Sequence, residues 1–299
     1  AMALIEKVRR AVDGTNLSAE RKRDIAYVLI NGALRVLDPH TVVLAPEPAK
    51  EFSEDIKGEF FGIGAFLLQE EGILAIDRVM AGLPADKAGV MDGDVIIGIN
   101  GEKTAGLSLL QSVRRIKGPK GSKVVLTIER KSASGSLDIS VVRDLVQMVT
   151  MRSHRRGDIG YVRMDEFNGF TARDLYRSVQ DLQKDGPMKA FVLDLRFNGG
   201  GLLDQARLVC DFFLPKGEEI VRTVTSDGDP QKFFSSSRQI LDVPMVVMTS
   251  GGSASAAEIL SGCLQRDERA VVIGSTTFGK GSVQTIKDLN DGSRFKLTI

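Results

Sequence analysis

Ser255 and Lys280 are the two side chains whose types and settings point to chemistry. Ser255 lies in Thr249-Ser250-Gly251-Gly252-Ser253-Ala254-Ser255-Ala256, after an apolar run at 245–248 and at the head of a helical pattern beginning near Ser253. Such a setting gathers hydroxyls and unpaired backbone N–H groups at a helix N-terminus, where negative charge is favoured. Lys280 stands between glycines in Phe278-Gly279-Lys280-Gly281, just beyond a second apolar run at 270–273. A serine becomes a strong nucleophile when a neighbouring base takes its proton. A lysine serves as that base only as the neutral amine, and because a solvated lysine loses its proton only near pH 10.4, it is ordinarily charged at about pH 7. Base work near neutrality therefore needs burial that disfavours the ammonium by about 4 kcal/mol. The glycine and apolar neighbours of Lys280 bring no carboxylate to oppose this. A lysine base predicts a rate that rises with pH.

Each residue also has a plain structural use. Ser255 with Glu258 fits the Ser-x-x-Glu capping box, Ser253 could cap a helix that starts earlier, and Lys280 could be a solvated loop lysine. Other catalytic classes have little material. The chain has two histidines. His40, in Leu37-Asp38-Pro39-His40-Thr41, reads as a turn residue, and His154, in Arg152-Ser153-His154-Arg155-Arg156, as part of an exposed basic connection. A Ser-His-Asp triad would have to use one of them. There is no His-Glu-x-x-His pair for a zinc peptidase.

The segments Gly252-Ser253-Ala254-Ser255-Ala256-Ala257-Glu258-Ile259 and Thr277-Phe278-Gly279-Lys280-Gly281-Ser282-Val283-Gln284 together resemble the active-site signature of the carboxyl-terminal processing, or tail-specific, serine proteases, which use a Ser–Lys dyad. The resemblance implies Ser255 as nucleophile, Lys280 as base and Gln284 as the residue that orients the lysine. It also gives a role to Leu195-Arg196-Phe197-Asn198-Gly199-Gly200-Gly201, whose glycines let the backbone approach a reacting group and leave N–H donors uncovered. Without the resemblance that stretch reads equally well as a tight strand-to-helix turn. With it, the loop supplies one oxyanion-hole N–H, from Gly201 with Gly200 as the alternative, and Ala256 supplies the other. Losing one such donor costs about 2.7–4 kcal/mol of transition-state stabilisation. Gly199 stands where many relatives carry proline.

Residues 58–144 read as one small module. Gly62-Ile63-Gly64-Ala65 precedes an apolar strand at 66–68, and a second strand runs through 73–79. A short helix opens at Pro84, and a strand at 95–99 is closed by the hairpin pair Asn100-Gly101. A helix carrying Leu107, Leu110, Val113 and Ile116 follows, then strands at 123–129 and 137–142. The order resembles a PDZ domain, which implies that Gly62, Ile63, Gly64 and Ala65 receive a peptide's terminal carboxylate while the peptide extends the sheet. Otherwise the glycines make a turn in an ordinary small β domain. Ala65 replaces the bulkier residue common in free-standing PDZ loops.

Residues 1–57 read as helical. Ser18 caps a helix whose stripe is Ile25, Val28, Leu29, Val36 and Leu37, and Asp38-Pro39 ends it. Leu37-Asp38-Pro39-His40-Thr41 resembles the family segment ahead of the PDZ domain, with structural support as its expected role. From 145 to 299 an α/β body is expected. It has strands at 159–163 and 190–195, the latter read as buried on both faces, and a helix opened by Phe170-Thr171-Ala172-Arg173-Asp174, with Thr171 as N-cap and Asp174, three residues on, as its acidic partner.

The whole reading is an α/β (α+β) chain, with a crotonase-like protease core implied by the resemblance, an inserted PDZ domain and a helical N-terminal segment. Its expected reaction is endoproteolysis near a substrate's C-terminus. Two readings stay beside it: a non-catalytic peptide-tail-binding module, and a ligand-binding crotonase-like relative. Composition sets outer limits: 299 residues, 42% hydrophobic and 26% charged, with net charge +1, describe a globular chain with no reason to invoke nucleic acid. Mean hydropathy is −0.02. No apolar run approaches the roughly 20 residues of a membrane span. The expected partners are protein or peptide C-termini, no cofactor is expected, and homo-oligomerisation is left open. The family resemblance implies a bacterial periplasm or cell envelope. Ala1-Met2-Ala3 reads as a tag remnant, and Phe295-Lys296-Leu297-Thr298-Ile299 as an interrupted strand, so native sequence is expected beyond both ends. Cys210 and Cys263 are expected in core helices as buried free thiols rather than as a disulfide, which is the alternative.

Overall fold

The computed structural model describes residues 2–224, 228, 230–236 and 238–299; Ala1, and with it part of the tag reading, lies outside them. The described chain divides into two compact units, one made of 1–57 with 149–299, the other of 58–148.

The larger unit is built on a sheet in which strands Met151–Arg156, Ile159–Met164, Ala190–Asp194, Met245–Thr249 and Val271–Gly274 lie side by side in that order. The first pair is antiparallel and the others are parallel. Ala190–Asp194 sits in the middle, which explains its near-continuous apolar run: Phe191 and Leu193 are fully buried, and so is Asp194. Helices Thr171–Gln183, Leu203–Asp211 and Ala256–Arg266 supply the apolar residues that close the core, among them Leu175, Val179, Val209, Leu260 and Leu264. Two neighbouring parallel strands, Ala190–Asp194 and Met245–Thr249, run out at the same edge into glycine- and serine-rich turns. Clefts at the carboxyl ends of parallel strands are where such sheets bind ligands.

Several local expectations are corrected by the structure. His154 is not in a connection. It lies on the edge strand Met151–Arg156, opposite Tyr161, with the two rings 4.5 Å apart. Thr171 is the first residue of its helix rather than the cap; its hydroxyl accepts from the Asn168 N–H at 2.9 Å, and Asn168 Oδ1 takes the Phe170 N–H. In the N-terminal region, helix Ala19–Leu34 does start at Ser18, whose Oγ accepts from Arg21 N–H. The helix ends before Val36 and Leu37, and Val28, Val36 and Leu37 are exposed at 71%, 87% and 69%, so the stripe does not form a core face. The region is also not wholly helical. Strand Val42–Leu44 pairs with Arg294–Thr298, which pairs in turn with Gln284–Asp288.

The smaller unit is a sheet in which Ala65–Glu70, Ile73–Val79, Val95–Ile99, Lys123–Glu129 and Ser136–Val142 follow one another, with Glu102–Lys103 beside Val95–Ile99. Asn100 and Gly101 both take positive φ, 51° and 80°, as a two-residue hairpin requires. Helix Leu109–Ile116 carries a complete capping box between Ser108 and Gln111. Glu59–Gly62 and Asp144–Gln147, which carry no strand signal in the sequence, pair with each other and extend this unit to Met148.

Candidate active site

The two strand-end turns of the larger unit are laced together by small polar groups. Ser253 is fully buried; its Oγ donates to the Leu195 carbonyl at 2.7 Å and accepts from the Ser250 N–H at 2.9 Å. Ser250 Oγ accepts from the Phe197 N–H, and the Ala254 N–H donates to the Asn198 carbonyl, both at 2.9 Å. Ser253 is thus a brace between turns and not the cap of the following helix. Ser255 takes that N-cap position, with φ +55° and ψ −113°. A non-glycine residue held there costs on the order of 1–3 kcal/mol and persists only because its surroundings impose it.

The glycine loop lies directly against it. A Cβ on Gly200 would come 2.8 Å from Ser255 Cβ and 2.6 Å from the Ala254 carbonyl oxygen. A Cβ on Gly201 would come 2.0 Å from the Phe167 carbonyl oxygen. Only glycine lets this loop lie against both neighbours. The Gly200 N–H is engaged by Asn198 Oδ1 at 2.9 Å. Among the described residues, the N–H groups of Gly201 and Ala256 have no acceptor, which leaves them available to a ligand.

Glu258 joins the serine to the lysine segment, and the sequence did not signal this second role. Its Oε2 accepts from the N–H of Ser255 at 2.7 Å and from the N–H of Lys280 at 2.9 Å, while Oε1 accepts from the Gly279 N–H at 2.6 Å. Two backbone nitrogens sharing one oxygen lie within two hydrogen-bond lengths of each other. The Phe278 N–H adds a bond to the Ser253 carbonyl at 2.9 Å. Burial pushes the Glu258 carboxyl pKa up, but hydrogen bonds from the Thr277 hydroxyl and the three N–H groups outweigh it and leave the pKa below the ordinary glutamate value. Lys280 is half-buried. Gln284 opens strand Gln284–Asp288, and its amide nitrogen donates to Ser282 Oγ at 3.0 Å and the Ser282 carbonyl at 3.3 Å rather than to Lys280.

The strand partner of Gln284 is Thr298, and that pairing is anchored by Asp38. Thr298 Oγ1 donates to Asp38 Oδ1 at 2.9 Å, the N–H groups of His40 and Thr41 donate to the same oxygen, and Thr41 Oγ1 donates to Oδ2 at 2.5 Å. The Thr41 hydroxyl, together with the other donors, holds the Asp38 carboxyl pKa at about 2. A carboxylate with a depressed native pKa adds stability above its unfolded value, here 3.8, and loses it as pH falls toward 2. Asp38→Asn is therefore expected to be less stable than the parent at pH 5–7, with the gap in urea midpoints closing between about pH 4 and 2. Parallel midpoints across that range would contradict the anchor. Beside Gln284–Asp288, Lys296 is half-buried, and burial together with the charge of Lys280 lowers its pKa.

In the smaller unit, Gly62-Ile63-Gly64-Ala65 turns from Glu59–Gly62 into Ala65–Glu70. The Ile63 and Gly64 carbonyls accept from Ala85 N–H at 2.7 Å and Met80 N–H at 3.0 Å. The Ile63 and Gly64 N–H groups have no acceptor among the described residues. Ala65–Glu70 is an edge strand. It packs against helix Leu109–Ile116, with Phe66 and Leu110 exposed near the free edge. An open strand edge beside a helix, headed by free N–H groups, can accept an extended chain with a terminal carboxylate.

Comparison with known proteins gives a family match in each unit. Residues 158–299 match peptidase family S41, and residues 52–129 match the PDZ domain family. The chain is 41% identical over 273 residues to a carboxy-terminal-processing protease of Bartonella bacilliformis, covering 90% of this chain and 63% of that one. It is 36% identical over 277 residues to the carboxy-terminal processing protease CtpA of Bacillus subtilis, covering 91% and 59%. The chain therefore spans about three-fifths of the length of these relatives. Among solved structures, the photosystem II D1 C-terminal processing protease aligns with a TM-score of 0.52 and 28% identity, over 99% of this chain and 86% of that one.

Proposed function

Because the chain belongs to the carboxyl-terminal processing proteases of peptidase family S41, we propose that it is a serine endopeptidase that cuts protein substrates near their C-termini. In this reading Ser255 Oγ attacks the scissile carbonyl and Lys280 Nζ takes its proton. The developing oxyanion receives the N–H groups of Gly201 and Ala256, and the lysine returns the proton to the leaving amine. Water, activated by the same lysine, then hydrolyses the acyl-enzyme. Gln284 orients the lysine once its amide is released from Ser282. Two free N–H groups aimed at the oxyanion act in the transition state more than in the ground state, so they raise the rate and not merely the affinity. The smaller unit binds the substrate's tail, with its terminal carboxylate at Gly62, Ile63, Gly64 and Ala65. Among the described residues no helix is long and apolar enough to cross a membrane; we assign the protein to the bacterial periplasm or cell envelope by its family.

One observation carries the dyad: the single carboxylate oxygen of Glu258 that receives the N–H groups of both Ser255 and Lys280. The test is cleavage of an unfolded protein with an apolar C-terminus, followed by intact mass, with the terminal carboxylate free or amidated. Amidation is expected to slow cleavage at least tenfold while leaving the cut sites unchanged. Equal rates for both substrates would remove the tail-binding role. Binding of the free tail without any cut would favour a peptide-binding module.

A further inference from the structure

Cys210 and Cys263 take no part in the reaction proposed above, and they are the only cysteines of the chain. Each lies about two turns into its helix. Cys210 is in Leu203–Asp211, which starts just after the glycine loop, and Cys263 is in Ala256–Arg266, which starts just after Ser255. The two helices pack on each other, and both thiols are buried, at 0% and 3% exposure. Their sulfur atoms are 3.0 Å apart, about 1 Å beyond a disulfide bond length.

We propose that Cys210 and Cys263 are a disulfide-forming pair, joined by exchange with a small-molecule or protein disulfide, which covalently braces the two helices that begin beside Gly201 and Ser255. The chemistry balances. The thiolate of one cysteine attacks the oxidant's disulfide and releases one thiol. The second cysteine then displaces the other half, so two protein thiols become one disulfide and one oxidant disulfide becomes two thiols. With no third cysteine, there is no wrong intramolecular partner. Burial, and the neighbouring Cys263, push the Cys210 thiol pKa well up, and both sulfurs are shut away from an oxidant once the core has closed. The bond therefore forms as the chain folds or opens, and slowly in the closed protein. The bridge spans 53 residues of sequence, a loop long enough for closure to restrict the unfolded chain substantially.

The test is to refold the full chain in a glutathione/glutathione disulfide buffer and, separately, in reductant. The oxidised sample is expected to weigh about 2 Da less and to contain no alkylatable thiol after denaturation. Non-reducing digestion should yield a peptide pair linking Cys210 to Cys263, and thermal unfolding should rise by roughly 5–10 °C. Cys210→Ser should show neither the mass loss nor a redox-dependent melting temperature. Two free thiols after oxidation, a persistent glutathione adduct, or a disulfide-linked dimer would each overturn the proposal. If refolding fails, the native chain is held in glutathione disulfide a few degrees below its melting point, and the same mass and peptide readouts decide. The assignment is independent of the peptidase reading, since none of these readouts requires activity.

Discussion

Ser255→Ala and Lys280→Ala are each expected to lower the cleavage rate by at least about 10⁴-fold, and the double variant by no more than the worse single one. The non-additivity follows from the two side chains acting as one unit. Without the hydroxyl there is nothing for the amine to deprotonate, and without the amine the hydroxyl keeps its proton. The residual rate would come from the free N–H groups of Gly201 and Ala256 and from substrate positioning, as it does when other serine proteases lose their nucleophile or base. Neither change should unfold the chain. Ser255 is only partly buried, and alanine retains the same backbone constraint at φ +55°. Lys280 enters the structure through its backbone N–H, which alanine keeps. The measurement is single-turnover cleavage with matched circular dichroism and tail binding. Lysine as base would be lost if Lys280→Ala retained most of the rate, and the whole peptidase assignment if Ser255→Ala did.

Much of the architecture was legible because it is written locally. The hairpin at Asn100-Gly101 needs only two positive-φ residues, and the cap at Ser18 only one hydroxyl before a helix. The buried strand Ala190–Asp194 announces itself by a run of apolar residues. What could not be read were pairings made across long stretches of chain. Glu59–Gly62 becomes a strand because Asp144–Gln147 returns beside it, and Val42–Leu44 because Arg294–Thr298 does. Met151–Arg156, rich in arginine, reads as polar connection because it is an edge strand whose outward side chains face water. The stripe through Val28, Val36 and Leu37 has helical spacing, yet the helix stops at Leu34 where the chain turns toward the Asp38 anchor. At the candidate site, the proposed pair Ser255 and Lys280 rests on motifs that are local in sequence. The closeness of Cys210 to Cys263 and the second task of Glu258 depend on contacts 53 and 22 residues apart in sequence, which no local pattern encodes.

That second task gives the other large expected effect. A carboxylate near a lysine base is at first sight a poor choice, because negative charge favours the ammonium. On electrostatics alone, Glu258→Gln should speed the reaction. The hydrogen bonds predict the reverse. Three N–H donors, from Ser255, Gly279 and Lys280, converge on two carboxylate oxygens, whereas an amide offers one oxygen and turns an NH₂ group toward the remaining donors. At least one of the two segments must then move, and a displacement of about 1 Å between nucleophile and base costs about 10²-fold, or about 2.7 kcal/mol of barrier. Glu258→Gln is therefore expected to reduce kcat about 10²-fold with little change in KM, and Glu258→Ala at least as much. Asp, one methylene shorter, should recover only part of the loss. Stability gives an independent readout. Because the Glu258 carboxyl has its native pKa below the ordinary value of 4.5, the parent should lose stability relative to Glu258→Gln as pH falls below about 4.5, and the two should differ by a constant amount above it. A merely structural cap would show the stability difference without the kcat loss. A Gln variant as fast as the parent would mean that the serine and the lysine are held in register by something other than this carboxylate.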